Sequence, residues 1–302
     1  MIHLFALLSL LLCGVCYTGF QNSSHFHNTS NRRSLLLLVF GGALLLRLLL
    51  AYTTHGFSND IACFAAWADR IFTLGPGQFY SAEMFTDYPP GFMYVLYLIG
   101  ALRSLLQIPY YSDLHILLLK LPAILCDIAC GFLLYREAVK RLHFSDLQGI
   151  FAASAYLFQP AVILNSSCWG QVDSVYTLMI ILMCLFLMKG NLLPAYAVYG
   201  LGVLLKPQML IFTPVLLAGI WDHVFLQDFS WRKFFYNLCG GLVVICGMLL
   251  LCAPFGLTAA ISQYTSTLGS YEYAAINAYN FWGLLGMNWV DQNTIFLFPV
   301  SY

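Results

Sequence analysis

The sequence predicts an all-α polytopic membrane protein: about eight transmembrane helices, plus one re-entrant or juxtamembrane helix that does not cross. Three observations carry this expectation. Only 9% of the 302 residues are charged and 61% are hydrophobic, whereas a soluble domain carries about 25% charged side chains. The apolar residues also come in long runs. Leu35 to Leu50 is broken only by Arg47, and no charge falls between Tyr236 and Pro254. At about 1.5 Å rise per residue, runs near 20 residues match a hydrocarbon core of about 30 Å. The third observation is the placement of the basic residues, which gives the spans a consistent direction.

The expected crossings are 2–20, 35–53, 113–135, 148–165, 173–189, 191–205, 208–226 and 234–256. The first lacks a basic leading region and a clear small-residue cleavage site, so it reads as a span rather than a cleaved signal. The sixth is short for a crossing. The stretch 89–106 is also apolar and decides the topology. If it stays on one side, then Arg32, Arg33, Arg136, Lys140, Arg141, Lys189, Arg232 and Lys233 all share a side, which the positive-inside rule makes cytoplasmic. If it crosses, the last six move away from the first two. The opening Pro89-Pro90-Gly91 also suits a helix that starts at an interface, because proline is tolerated in a first turn.

With that topology, Asp60, Asp69, Glu83, Asp87, Asp113, Asp173, Glu272 and Asp291 lie on the non-cytoplasmic side. The balance of 13 basic and 13 acidic side chains argues against a nucleic-acid partner, which needs a basic surface. The cysteines are scattered, with neither a disulfide pattern nor metal-ligand spacing.

Three outer segments carry candidate chemistry. Asp60 lies just beyond a span and is followed by an amphipathic stretch, 61–74, of the kind that lies along a membrane interface. There a carboxylate sits between lipid and water; the plainer reading is a solvated loop acid. Cys168-Trp169-Gly170-Gln171-Val172-Asp173 joins two spans. Trp169 reads either as a belt residue or as part of a polar clamp with Gln171, and Asp173 either as a helix N-cap or as a site acid. Lys206-Pro207-Gln208 puts a cation on the acidic side, either a snorkelling lysine or a point charge for a phosphate. Within the spans, Arg47, Lys120 and Asp127 are costly in lipid. Lys120 lies near the outer end, and Asp127 reads as an interhelix polar contact.

Together, Asp60, Phe79-Tyr80, Asp87-Tyr88-Pro89-Pro90-Gly91, Trp169-Gly170-Gln171-Val172-Asp173 and Lys206-Pro207-Gln208, in this order, resemble bacterial membrane proteins related to the eukaryotic GPI mannosyltransferase II, of the GT-C glycosyltransferase class. The resemblance covers roughly 35–300. It implies a polyprenyl-phosphate sugar as donor, a glycan, lipid or protein acceptor, and an outward-facing site in a bacterial plasma membrane. It also implies Asp60 as catalytic base, Asp87 beside the proline pair and Asp173 as a second acid. Tyr88, Trp169, Gln171, Lys206, Gln208, Arg70 and Lys120 are the expected substrate-binding residues. No metal ligand set is assigned, although three acids leave a divalent cation open.

The expected division is an extra N-terminal span and linker at 1–34, a GT-C-like module at 35–256 including the outer loop 54–112, and an outer segment 257–302 that opens a missing C-terminal region. The competing readings are a transporter or a lipid-linked glycan flippase or polymerase. The first would not concentrate acids in one outer loop, and polymerases lean on outer arginines, of which only Arg70 and Arg103 are present.

Overall fold

Proline and glycine cut the apolar runs into the observed helices. The computed structural model describes residues 32–80, 85–227, 229–269, 272–276, 281–291 and 293–294, with scattered positions between 10 and 19. The expected first span, 2–20, therefore lies largely outside the described residues. Among the described residues the protein is all-α and no β-strand forms. The helices are α1 (Arg32–Thr53), α2 (Ser58–Leu74), α3 (Pro90–Leu105), α4 (Asp113–Lys140), α5 (Asp146–Leu157), α6 (Pro160–Trp169), α7 (Asp173–Met188), α8 (Leu192–Leu205), α9 (Pro207–Leu226), α10 (Trp231–Phe255), α11 (Leu257–Gly269) and the short α12 (Phe281–Leu284).

Their ends follow local chemistry. The Ser112 hydroxyl accepts the His115 N–H at the start of α4, and Ser145 with Gln148 forms a capping box at the start of α5. Pro160 cannot continue the hydrogen-bond ladder of α5, so α5 and α6 meet at a 51° bend. Pro207 drives Lys206 into an extended conformation, φ −153° and ψ 123°, as expected for a residue before proline, and this ends α8.

Eight crossings overstate what the structure carries. α1, α4, α9 and α10 are long and apolar enough to span, and a fifth span exists if the bent pair α5–α6 counts as one. α7 and α8 are apolar but have only 16 and 14 residues. At about 1.5 Å rise they reach about 24 and 21 Å, short of a hydrocarbon core of about 30 Å. Apolar composition continued past the points where Gly190 and Pro207 interrupt the helices.

Helix ends gather at two poles. At one pole His55, just after α1, lies 3.6 Å from Asp113, which opens α4. The whole segment 54–112, including α3, therefore leaves and returns at the same pole. Trp169, Lys206 and Phe255 join it there: the Phe57 amide donates to the Trp169 carbonyl at 2.9 Å, and the Phe255 ring meets those of Phe79, Tyr80 and Tyr94. At the opposite pole Arg32 pairs with Asp146 at 3.2 Å, and Arg141 donates to the Met188 carbonyl.

The largest buried cluster sits under the first pole, built from Ile61, Phe64, Trp67, Ile71, Phe79, Phe92, Leu96, Ile116 and Leu205 among others. The amphipathic α2 supplies Ile61, Phe64, Ala65, Trp67, Ala68 and Ile71, all buried, at the spacing of one helix face. α3 closes on α2 at backbone distance, where a Cβ on Gly100 would run into the Ala68 carbonyl oxygen, and on α8, where one on Gly91 would come 2.6 Å from the Leu204 carbonyl group, so only glycine fits at either place. In the bundle itself, Arg47 and Asp127 form an ion pair at 3.2 Å with both side chains fully buried. Asp127 also accepts from Ser166 at 2.6 Å and Tyr156 at 3.2 Å, as expected for an interhelix polar contact.

Candidate active site

Asp60 lies in the first turn of α2, where the helix dipole favours a carboxylate. Two side chains from the α6–α7 turn hold it. Trp169 Nε1 donates to its Oδ2 at 2.9 Å, and Gln171 Nε2 donates to the same oxygen at 2.5 Å. Both donors are uncharged, so the carboxylate is oriented without being neutralised. Gly170, at φ 89°, makes this possible. A left-handed residue without a Cβ turns the chain sharply, and the Gly170 and Gln171 amides both donate to the Asn165 carbonyl, at 3.1 and 3.0 Å. The turn is then stitched to the end of α1 by the Phe57 amide and by Thr54 Oγ1, which reaches the Ser167 carbonyl at 3.3 Å.

Asp60 opens onto a cavity of about 590 Å³. Its polar wall is Asp60, Asp87, Gln171, Lys206 and Gln208, and its apolar wall includes Phe64, Trp67, Phe85 and Tyr88. The Asp87 strip is fixed by hydrogen bonds to its backbone. Trp67 Nε1 donates to the Phe85 carbonyl at 2.9 Å, Tyr80 Oη donates to the Tyr88 carbonyl at 3.0 Å, and Gln263 of α11 donates to the Thr86 carbonyl.

Opposite stands Lys206. Its Nζ pairs with Asp173 and lies 5.8 Å from the Tyr88 ring centre and 5.5 Å from that of Tyr176, within cation–π range. Asp173 is held from the other side by Asn165 Nδ2 at 2.9 Å. A buried cation and a carboxylate bound to neutral donors thus share one cavity.

The structure brings Asp60, Asp87, Tyr88, Gln171, Lys206 and Gln208 together around this cavity, with Trp169 touching Asp60 at its edge. Three expected site residues lie elsewhere. Asp173 is turned to Lys206 and Asn165 and does not line the cavity. Arg70 is a correction: its guanidinium donates to the Phe79 and Gln78 carbonyls, at 2.9 and 3.0 Å, and pins the turn after α2. Lys120 is another. It is fully buried and donates to the carbonyls of Ala51 and Thr54, at 3.2 and 2.7 Å. It thereby satisfies carbonyls that the end of α1 leaves without helical partners. Asp69 and Asp113 are also paired, with Arg103 and His55. Among the described residues no three His, Cys, Asp or Glu side chains converge as a metal site.

Cys63, Tyr176 and Asn165 were not foreseen. Cys63 lines the cavity one turn after Asp60, and its spacing from Asp60, Phe64 and Trp67 could have placed it on the same face. Burial pushes its thiol pKa up, and the charges of Asp87 and Asp60 push it in the same direction. Tyr176 follows Asp173 by one turn, a weaker signal. Asn165 carried none.

The described fold and cavity define an all-α chain with four or five helices able to cross a membrane and an acid-lined cavity at one pole. Against known proteins, the chain matches no family model and no curated protein.

Proposed function

We propose that the protein is an integral-membrane glycosyltransferase of the GT-C type. It moves a hexose, mannose by the resemblance described above, from a polyprenyl-phosphate donor to an acceptor hydroxyl. The acceptor belongs to a glycan, a lipid or a protein. The positive-inside rule puts the site on the non-cytoplasmic face, of a bacterial plasma membrane by that resemblance. The observation that carries the reading is the pairing of Asp60, bound only to neutral donors, with Lys206 around one cavity at the ends of the helices.

In the proposed step, the acceptor oxygen attacks the anomeric carbon from the face opposite the lipid phosphate. Its proton passes to Asp60. The carbon–oxygen bond to the phosphate breaks, and the electron pair leaves with the lipid phosphate, so configuration inverts. General-base help of this kind is worth about 10²–10⁴-fold. A lipid phosphate is a good leaving group and needs charge stabilisation more than a proton, and Lys206 supplies that charge. Asp87 and Gln208 orient the acceptor, while Asp173 keeps the Lys206 ammonium aimed.

The test is transfer of label in proteoliposomes, with radiolabelled polyprenyl-phosphate mannose or glucose as donor and a membrane extract as acceptor. Transfer from one of the two donors is expected, with inverted configuration in the product. Lys206→Gln is expected to lower kcat/KM about 10²-fold. If neither donor loses its sugar but a lipid-linked glycan crosses the bilayer intact, the protein is a flippase and the reading fails.

A further inference from the structure

At the opposite pole, far along the helices from Asp60, a second cleft of about 620 Å³ lies between the end of α4 and the α7–α8 turn. We propose that it binds the phosphate headgroup of an anionic phospholipid. Arg136, Lys140, Arg141, His143 and Lys189 line it. Among the described residues the one carboxylate there, Glu137, is taken by Arg136, whose Nε and Nη2 donate to it at 2.9 and 2.6 Å. Among the described residues, Lys140 and Lys189 make no ion pair.

The positive-inside rule places basic residues at this pole but does not gather them around a cleft. Here two segments nearly fifty residues apart in sequence converge, and Arg141 Nη2 ties them by donating to the Met188 carbonyl at 3.4 Å. Nor are the lysines needed to cap α4. The Glu137 carbonyl accepts the Arg141 and Leu142 amides, at 2.9 and 3.1 Å, and the Ala138 carbonyl accepts the Phe144 amide at 3.1 Å. This closure passes through His143 at φ 57°. The backbone therefore closes the helix end itself and leaves the side-chain charges to the cleft.

A lipid fits better than a free anion because the cleft has an apolar flank. Leu142 and Met188 are 59% and 53% exposed among the cations, and Phe132, one turn before Arg136, is also exposed on α4. Phosphate oxygens would meet the ammonium and guanidinium groups while acyl chains run along Phe132. Basic pockets between helices on the cytoplasmic side bind lipid headgroups by this combination.

The experiment uses the purified protein in detergent. Native mass spectrometry reads lipid retention and thermal unfolding reads stabilisation, with phosphatidylglycerol, phosphatidylcholine and inorganic phosphate as the three probes. Phosphatidylglycerol is expected to be retained and to raise Tm, and the other two are not. Lys140→Gln with Lys189→Gln is expected to weaken retention about tenfold or more and to leave the lipid-free Tm unchanged, since both side chains are exposed. If the double variant lowers that Tm, each single variant is read for the same loss of retention. Equal retention by wild type and variants would overturn the proposal. So would inorganic phosphate raising Tm as much as phosphatidylglycerol does, which would make the cleft a free-anion site.

Discussion

Cys63 reports on the cavity at the scale of one side chain. Its thiol is partly buried and faces two carboxylates, and both conditions disfavour the thiolate. A raised pKa means less thiolate at neutral pH than in a free cysteine, whose pKa is about 8.5. In a variant that keeps Cys63 as its sole cysteine, maleimide labelling at pH 7 should be slower than that of a free thiol. The rate should keep climbing as pH rises past 8.5, and a polyprenyl-phosphate sugar should slow it further. Labelling at the rate of a free thiol would mean that the cavity is open and Asp60 and Asp87 are distant. The sequence showed which charges were out of place, Asp60 beside a span and Lys206 on the acidic side. It did not show their partners. Lys120 and Arg70 looked equally available, yet Arg70 donates to the Phe79 and Gln78 carbonyls and Lys120 to the Ala51 and Thr54 carbonyls and the Thr54 hydroxyl. That choice depends on which helix end comes to lie beside them.

Between helices, the energetic question is the buried pair Arg47–Asp127, which joins α1 to α4 and reaches α5 and α6 through Tyr156 and Ser166. Removing one partner strands a charge in the bundle and is expected to cost about 3–5 kcal/mol. Arg47→Met should therefore lower stability strongly in a detergent unfolding titration. Arg47→Met with Asp127→Leu should recover most of the loss, because no charge remains to be solvated. A double variant as unstable as either single would mean that the pair itself holds the helices together, and losses that simply add would mean that the two side chains act independently. Helix existence was legible wherever an apolar run was long, as in α1 and α10. Helix length was not, because Pro160, Pro207 and Gly190 cut runs that composition alone reads as continuous. The amphipathic α2 was legible from spacing. Its role as the main buried cluster depends on α3 and the end of α8 closing over it.

For the whole molecule, the placement of both poles follows from α3 returning to the end it left. Single cysteines placed at His55 and Gln107 should react with an impermeant maleimide from the same side of sealed vesicles. Cysteines at His143 and Gln227 should react only after permeabilisation. Labelling of positions 55 and 107 from opposite sides would make α3 a crossing and separate Asp60 from Lys206. The charge pattern was enough to foresee this arrangement, because one choice for 89–106 collects eight basic residues on one side. Charge placement put Asp60, Gln171 and Lys206 on one side, but the convergence of residues 60, 87, 171, 206 and 208 on one cavity was not legible. Their sequence separation gives no local signal.

The central claim is that Asp60 removes the acceptor proton. Asp60→Asn keeps the size of the side chain and an oxygen for Trp169 or Gln171 to bond. Single-turnover transfer from a bound polyprenyl-phosphate sugar should fall about 10²–10⁴-fold, with donor binding held near the wild-type level. Transfer at the wild-type rate would contradict the account and move the base to Asp87, the other carboxylate that lines the cavity among the described residues.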